Sequence, residues 1–181
     1  LLGDFKRKVT EYRPDFIIWS VVEDAFRQAL KMIESIQDLE IPHLVGGVFP
    51  TAAPERCMEY SSINMIGIGE GEKTIVNVAE AVRLGKSLKN IPNTWFRERD
   101  TIYKAPRDTL VNINDFRADF SLFDEKRFYR PMGGHIFKTI PVETYRGCPY
   151  RCTYCNSPMQ VALAKKSKQG KFLRRTNIHE I

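Results

Sequence analysis

Histidine and cysteine are scarce in this sequence, three of one and four of the other in 181 residues. The histidines, His43, His135 and His179, lie far apart, so no His pair stands at metal-ligand spacing. The cysteines are not arranged as a framework either: Cys57 is alone and the other three fall within eight positions. That distribution argues against disulfide stapling and fits a reducing, cytoplasmic compartment. There is no run of about 18 apolar residues, which excludes an ordinary membrane-spanning helix. A basic, apolar leader ending in small residues is also missing from the start. Internal repeats and low-complexity tracts are absent. The chain opens on Leu1 and ends at Ile181 inside a helical-looking stretch, so an internal fragment of a longer protein is expected.

What remains is an ordinary globular composition, 43% hydrophobic and 28% charged, enough to bury a core. The net charge of +6 is local. Residues 161–178 carry Lys165, Lys166, Lys168, Lys171, Arg174 and Arg175 with no acid, and the rest of the chain balances. Such a stretch could meet RNA or substrate phosphates. No aromatic residues interleave with its lysines as single-strand binding favours, so a solvated, mobile loop is expected and nucleic acid is the lesser candidate.

The front half alternates in period. Pro14 to Val22 is a nearly continuous apolar run, the pattern of a strand covered on both faces. Residues 23–40 then place Phe26, Ala29, Leu30, Ile33 and Ile36 at helical spacing. "IPHLVGGVF" reads as a second strand, residues 54–60 as a short helix, "INMIGIG" as a third strand and residues 70–86 as a second long helix. Alternating strands and helices imply βαβ units on a parallel sheet, the α/β class with a Rossmann-like, flavodoxin-like order. Ligands of such sheets bind at the carboxyl ends of the strands. That places the candidates at Ser20, at Gly46 and Gly47, and at Gly69, Glu70 and Gly71. Residues 94–105 read as a β-hairpin, 106–134 as an aromatic-rich linker packing on both neighbours, and "HIFKTIPVETYRG" as a new strand. The expected division is 1–92, a Rossmann-like domain; 93–135, hairpin and linker; and 136–181, the start of a second domain.

That last strand leads into Cys148-x3-Cys152-x2-Cys155. Three thiolates on one tight loop can converge on one inorganic centre. Zinc is one candidate, but a closed zinc site takes four ligands, usually as two separated pairs, and no second pair exists. An iron–sulfur cluster is the other, since cysteine thiolates hold it and three ligands leave one iron open. Gly147 permits a tight approach before Cys148, Pro149 stiffens the loop, and Arg146 and Arg151 would place positive charge near an anionic centre.

Cys148-Pro-Tyr-Arg-Cys152-Thr-Tyr154-Cys155 resembles the CxxxCxφC signature of the radical S-adenosylmethionine (SAM) enzymes, with Tyr154 as the aromatic φ. The resemblance implies a [4Fe–4S] cluster held by Cys148, Cys152 and Cys155, SAM chelated at the open iron, and Tyr154 beside the SAM adenine. It also implies cleavage of SAM to a deoxyadenosyl radical, an electron donor of flavodoxin or ferredoxin type, and a small-molecule substrate. The second domain would then be the first βα portion of a partial TIM-type barrel.

The front half resembles the cobalamin (B12)-binding domain often joined to such barrels. "IIWSVV" with Ser20, "PHLVGGVFPTAAPE" with Gly46 and Gly47, and "IGIGEGEKTI" with Gly69, Glu70 and Gly71 carry that likeness. In that family a strand-end serine and a Gly-Gly pair line the pocket for the nucleotide tail. No DxHxxG loop precedes Pro14, which leaves the lower cobalt ligand unassigned. The combination implies a cobalamin-dependent radical SAM enzyme, of the C-methyltransferase kind. The rivals are a methylthiotransferase-like enzyme, disfavoured because only Cys57 is available for a second cluster, and a non-enzymatic metal- or RNA-binding module.

Overall fold

The computed structural model describes residues 1–177 and His179. It opens with helix α1 (Leu2–Tyr12), ahead of the first expected strand. The helix is mostly solvated and held by local pairs, Arg7 with Asp4 and Glu11. It touches the rest through buried Val9 and through Phe5, whose ring lies 5.6 Å from that of Trp19.

Strand β1 (Ile17–Ser20), helix α2 (Glu23–Glu34), strand β2 (His43–Gly46), helices α3 (Val48–Ala52) and α4 (Pro54–Met58), strand β3 (Met65–Gly67) and helix α5 (Glu72–Arg83) follow in the alternation expected. The first three strands are parallel neighbours, with Trp19 beside Val45 and Val45 beside Ile66. Period-2 geometry turns Val45 and Ile66 to one face, into a core with Phe26, Leu30, Ile33, Met58 and Ile63. Leu44 and Met65 turn to the other, against Val78 and Ala81 of α5 and Ile91. Helices therefore cover both faces of the sheet, and the α/β, Rossmann-like class is what the chain adopts.

Three local readings change. β1 is an edge strand, not one covered twice: Ile18 is 46% exposed, because α5 packs over β2 and β3 and leaves that face of β1 open. β2 ends at Gly46; the chain turns at Gly47 and Val48 begins α3, where Phe49 packs on Phe26 at 4.7 Å. The hairpin, β4 (Thr94–Glu98) and β5 (Thr101–Lys104), is not a free linker element. It adds to the sheet antiparallel to β3, with Ile66 opposite Trp95, so the sheet is mixed and five-stranded.

The second half also departs from the pattern. "HIFKTIPVETYRG" is two strands, because Pro141 lacks the N–H a ladder needs. β7 (His135–Lys138) pairs only with β6 (Tyr129–Met132), forming an exposed hairpin. β8 (Tyr145–Arg146) leads into the cysteine loop and α6 (Ser157–Lys166), a strand–loop–helix unit. Residues 174–175, expected to begin a helix, form β9 (Arg174–Arg175), antiparallel to β8. Ile178, Glu180 and Ile181 of that expected helix lie outside the described residues. Lys165 and Lys166 complete the last turn of α6, where cations favour the helix dipole, so the basic stretch is not one loop. Among the described residues no helix is long and apolar enough to cross a membrane.

Candidate cofactor site

Parallel strands deliver their carboxyl ends to one sheet edge, and there the structure gathers the residues read from the sequence. Ser20, Gly46, Gly47, Gly69, Glu70 and Gly71 line one cavity of about 180 Å³, walled further by Leu44 and Ile75. Gly47 has φ 103° and ψ −167°, a region essentially reserved for glycine. A Cβ there would stand 2.6 Å from the Val21 nitrogen and 2.7 Å from its oxygen. Gly46 differs: a Cβ would meet nothing closer than 3.7 Å, so its missing side chain simply leaves the wall open.

The two glycine loops are tied by a residue that the sequence patterns did not single out. Buried Thr51 donates its hydroxyl to the Gly47 carbonyl at 2.8 Å and accepts the Gly69 N–H at 2.9 Å. Its only signal was position, one turn beyond Gly-Gly on a short helix.

Glu70 serves another purpose than lining the cavity alone. Its carboxylate accepts the Val111 N–H (2.9 Å), Arg146 Nη1 (3.2 Å) and both terminal nitrogens of Arg174, Nη1 at 2.9 Å. Burial by itself would raise its pKa, but the Arg174 guanidinium, the Val111 amide and Arg146 outweigh burial and hold the carboxyl below the usual range. Arg146 also binds Glu72 and, through Nε (2.9 Å) and Nη2 (2.7 Å), Glu143. The Glu143 bonds, opposed by burial and aided by Glu72 and Glu70, raise the Arg146 pKa further, so it is a fixed cation. Arg146 therefore points toward the front domain, and is not the cluster-facing charge that its position before Cys148 suggested. Arg174 donates to the Val111 carbonyl at 2.6 Å as well. These bonds lock β8, β9 and the 108–115 segment onto the loop after β3. Between the halves lies a cleft of about 400 Å³, bordered by Gly47, Gly69 and Glu70 on one side and Gly147, Asn156 and Gln160 on the other.

The three loop cysteines are free thiols, two half-buried and Cys155 exposed. Gly147, φ 100°, lets the strand enter this loop, since a Cβ would stand 2.7 Å from the Phe172 oxygen. The Cys155 amide donates to the Cys152 carbonyl (3.2 Å) and the Ser157 amide to the Cys155 sulfur (3.4 Å). Among the described residues, no three His, Cys, Asp or Glu side chains are already gathered to hold a metal ion. The donor set is that of an iron–sulfur cluster, three thiols on one accessible loop, but the ligands are not drawn together. Tyr154 is 91% exposed, so packing the loop is not its role. Cys57 belongs to the core: it is fully buried, and burial pushes its thiol up to about 12. Alkylation at pH 8 should label Cys148, Cys152 and Cys155 rapidly and Cys57 only on denaturation; mass spectrometry showing rapid labelling at Cys57 would contradict this packing.

At about 180 Å³, with open glycine walls, the cavity has room for a slender arm of a ligand and none for a ring system the size of a corrin.

Comparison with known proteins agrees with this geometry. Residues 3–79 match the B12 binding domain family. An uncharacterized methyltransferase of Pyrococcus horikoshii is 27% identical over 168 residues, covering 87% of this chain and 35% of that protein. An anaerobic magnesium-protoporphyrin IX monomethyl ester cyclase of Synechocystis is 29% identical over 120 residues, covering 64% and 23%. The chain thus spans about a third or less of these relatives. Among solved structures, the radical S-adenosylmethionine methyltransferase TsrM of Kitasatospora setae, with cobalamin and a [4Fe-4S] cluster bound, superposes with a TM-score of 0.63 at 20% identity, covering 98% of this chain and 36% of that one. The cobalamin-dependent S-adenosylmethionine radical enzyme OxsB with aqua-cobalamin superposes at 0.61 and 17% identity, covering 93% and 26%. By sequence, residues 3–79 match the B12 binding domain family, and by fold the chain resembles two solved cobalamin-binding radical S-adenosylmethionine enzymes.

Proposed function

We propose that this chain is the cobalamin-binding and cluster-binding part of a radical SAM enzyme of the C-methyltransferase class. The observation that carries the reading is the cleft: Gly47, Gly69 and Glu70 of the front cavity border it on one side, and Gly147 and Asn156, the residues that flank the CxxxCxφC loop, border it on the other, across one ion-paired interface. When bound, a cluster would supply the electron for SAM cleavage and cobalamin the methyl group. In this chain Cys148, Cys152 and Cys155 would hold the cluster, and Tyr154 would lie beside the SAM adenine. Ser20, Gly46, Gly47, Gly69 and Gly71 would admit the cobalamin tail. Glu70, with Arg146 and Arg174, would fix the spacing between the two. The likeness to ester cyclases supports ring formation as a second reaction for the same architecture. A small-molecule substrate, a flavodoxin- or ferredoxin-type electron donor and a cytoplasmic setting belong to this reading.

Anaerobic reconstitution with iron and sulfide tests it. The wild-type chain should take up about four irons, as a [4Fe–4S] centre requires. Cys148→Ala, Cys152→Ala and Cys155→Ala should each lose the visible absorbance, while Cys57→Ala keeps it. Stoichiometric zinc without iron would refute the cluster. Hydroxocobalamin retained through gel filtration tests the front domain separately.

A further inference from the structure

Arg107 is a half-buried arginine on the wall of the cleft. Its Nε is buried without a hydrogen-bond partner, and the guanidinium has no ion pair among the described residues. Burial alone acts on its pKa, lowering it. The other arginines of the same cleft, Arg146 and Arg174, each hold a carboxylate. A desolvated charge left unpaired is costly, and burial without a partner is rare.

The fold fixes where this cation stands. The Asn93 amide donates to the Pro106 carbonyl (3.0 Å), and the Asp108 amide to the Asn93 side chain (2.9 Å), so the backbone is tied on both sides of Arg107. The guanidinium lies against Gly69: a Cβ there would be 2.9 Å from Nη2, and Gly69 has φ 87°. Gly69, with Gly47 and Glu70, lines both the cleft and the smaller glycine-lined cavity. An arm entering that cavity from the cleft along Gly69 passes the arginine.

We propose that Arg107 anchors an oxyanion of the ligand that fills this cavity, the phosphodiester in the nucleotide arm of cobalamin. A guanidinium presents a planar fork of donors that matches phosphate geometry. The SAM carboxylate is the other oxyanion expected in the cleft. The phosphodiester is favoured because Arg107 adjoins Gly69 of the front cavity, whereas Cys148 borders a separate groove that does not include Arg107. The assignment rests on cobalamin binding by the front domain.

The full chain, as wild type, Arg107→Gln and Arg107→Lys, is titrated with hydroxocobalamin and with cobinamide, which lacks the nucleotide and its phosphodiester. Arg107→Gln should weaken cobalamin binding about tenfold or more, the scale of a lost hydrogen bond to a charged group, and leave cobinamide binding unchanged. Arg107→Lys should recover part of the loss. The ligand-free glutamine variant should melt no lower than wild type, since an unpaired charge is removed; a clear drop would mark Arg107 as structural and overturn the proposal. Equal losses for both ligands, or none for cobalamin, would overturn it as well. Loss of SAM binding with cobalamin binding intact would reassign the oxyanion to SAM. If the wild type binds cobalamin and the glutamine variant binds it equally, only the role of Arg107 falls. If the wild type binds neither ligand, the cobalamin reading falls and takes the assignment with it.

Discussion

Replacing Glu70 by alanine should destabilise the joint between the two halves by about 3 kcal/mol, the lower end of what breaking a buried ion pair costs. Glu70 and Arg174 side chains are only 16% and 14% exposed, so little water replaces the lost partner. Arg146 keeps Glu72 and Glu143, but Arg174 is left with backbone carbonyls. Chemical denaturation measures the loss, and limited proteolysis should show earlier cleavage near β8 and β9. Arg174→Ala should cost a similar amount, with a coupling between the two changes of about 1 kcal/mol or more in a double-mutant cycle. Additive losses would show that the pair contributes no joint stability. The pH dependence has a definite sign. The folded pKa of Glu70 lies below its unfolded value, so its contribution is fully present above the ordinary carboxylate range and is lost as pH falls through the folded value. Glu70→Ala should remove that part of the acid sensitivity.

Gly47→Ala should be the more damaging of two glycine changes, and Gly46→Ala the more informative. At Gly47 alanine meets backbone strain of about 1–3 kcal/mol. It also meets a direct conflict with the Val21 backbone, which cannot swing aside as a side chain could. Val21 accepts the Phe49 N–H at 3.1 Å and donates to Gly46 at 2.9 Å, so yielding would break the entry to α3. A large drop in melting temperature is expected. At Gly46 the added methyl fits without close contact, so the melting temperature should change little. That methyl joins the wall of the cavity, so hydroxocobalamin retention should fall while the fold persists. If both variants melt alike and both bind cobalamin as wild type does, neither the strain at Gly47 nor the role of the cavity survives.

The sequence by itself determined a good deal. Short apolar runs were enough for the three parallel strands and the period of 3.6 for helices α2 and α5, because those elements bury apolar faces in a two-sided sheet. Strand-end glycines were readable because a backbone path with positive φ leaves a compositional trace, as Gly47 and Gly69 do. The spacing of Cys148, Cys152 and Cys155 was visible because all three fall on one short loop.

Other features depended on neighbours distant in sequence. α1 carries Leu2, Phe5, Val9 and Tyr12 at helical spacing, but of these only Val9 is buried, so what that stripe packs against is set by the fold. β1 reads as doubly covered, yet whether its second face is covered depends on where α5 settles. β9 reads as a helix start but pairs with β8, since a two-residue strand is set by its partner and not by propensity. Most of all, the charges changed meaning in three dimensions. Glu70 looked like a cavity residue and Arg146 like a cluster residue, and they bind each other across 76 positions of chain. Arg107 gave no signal in the sequence at all. Its interest comes from a half-buried guanidinium that makes no ion pair among the described residues, and only the tertiary structure decides which charges find partners.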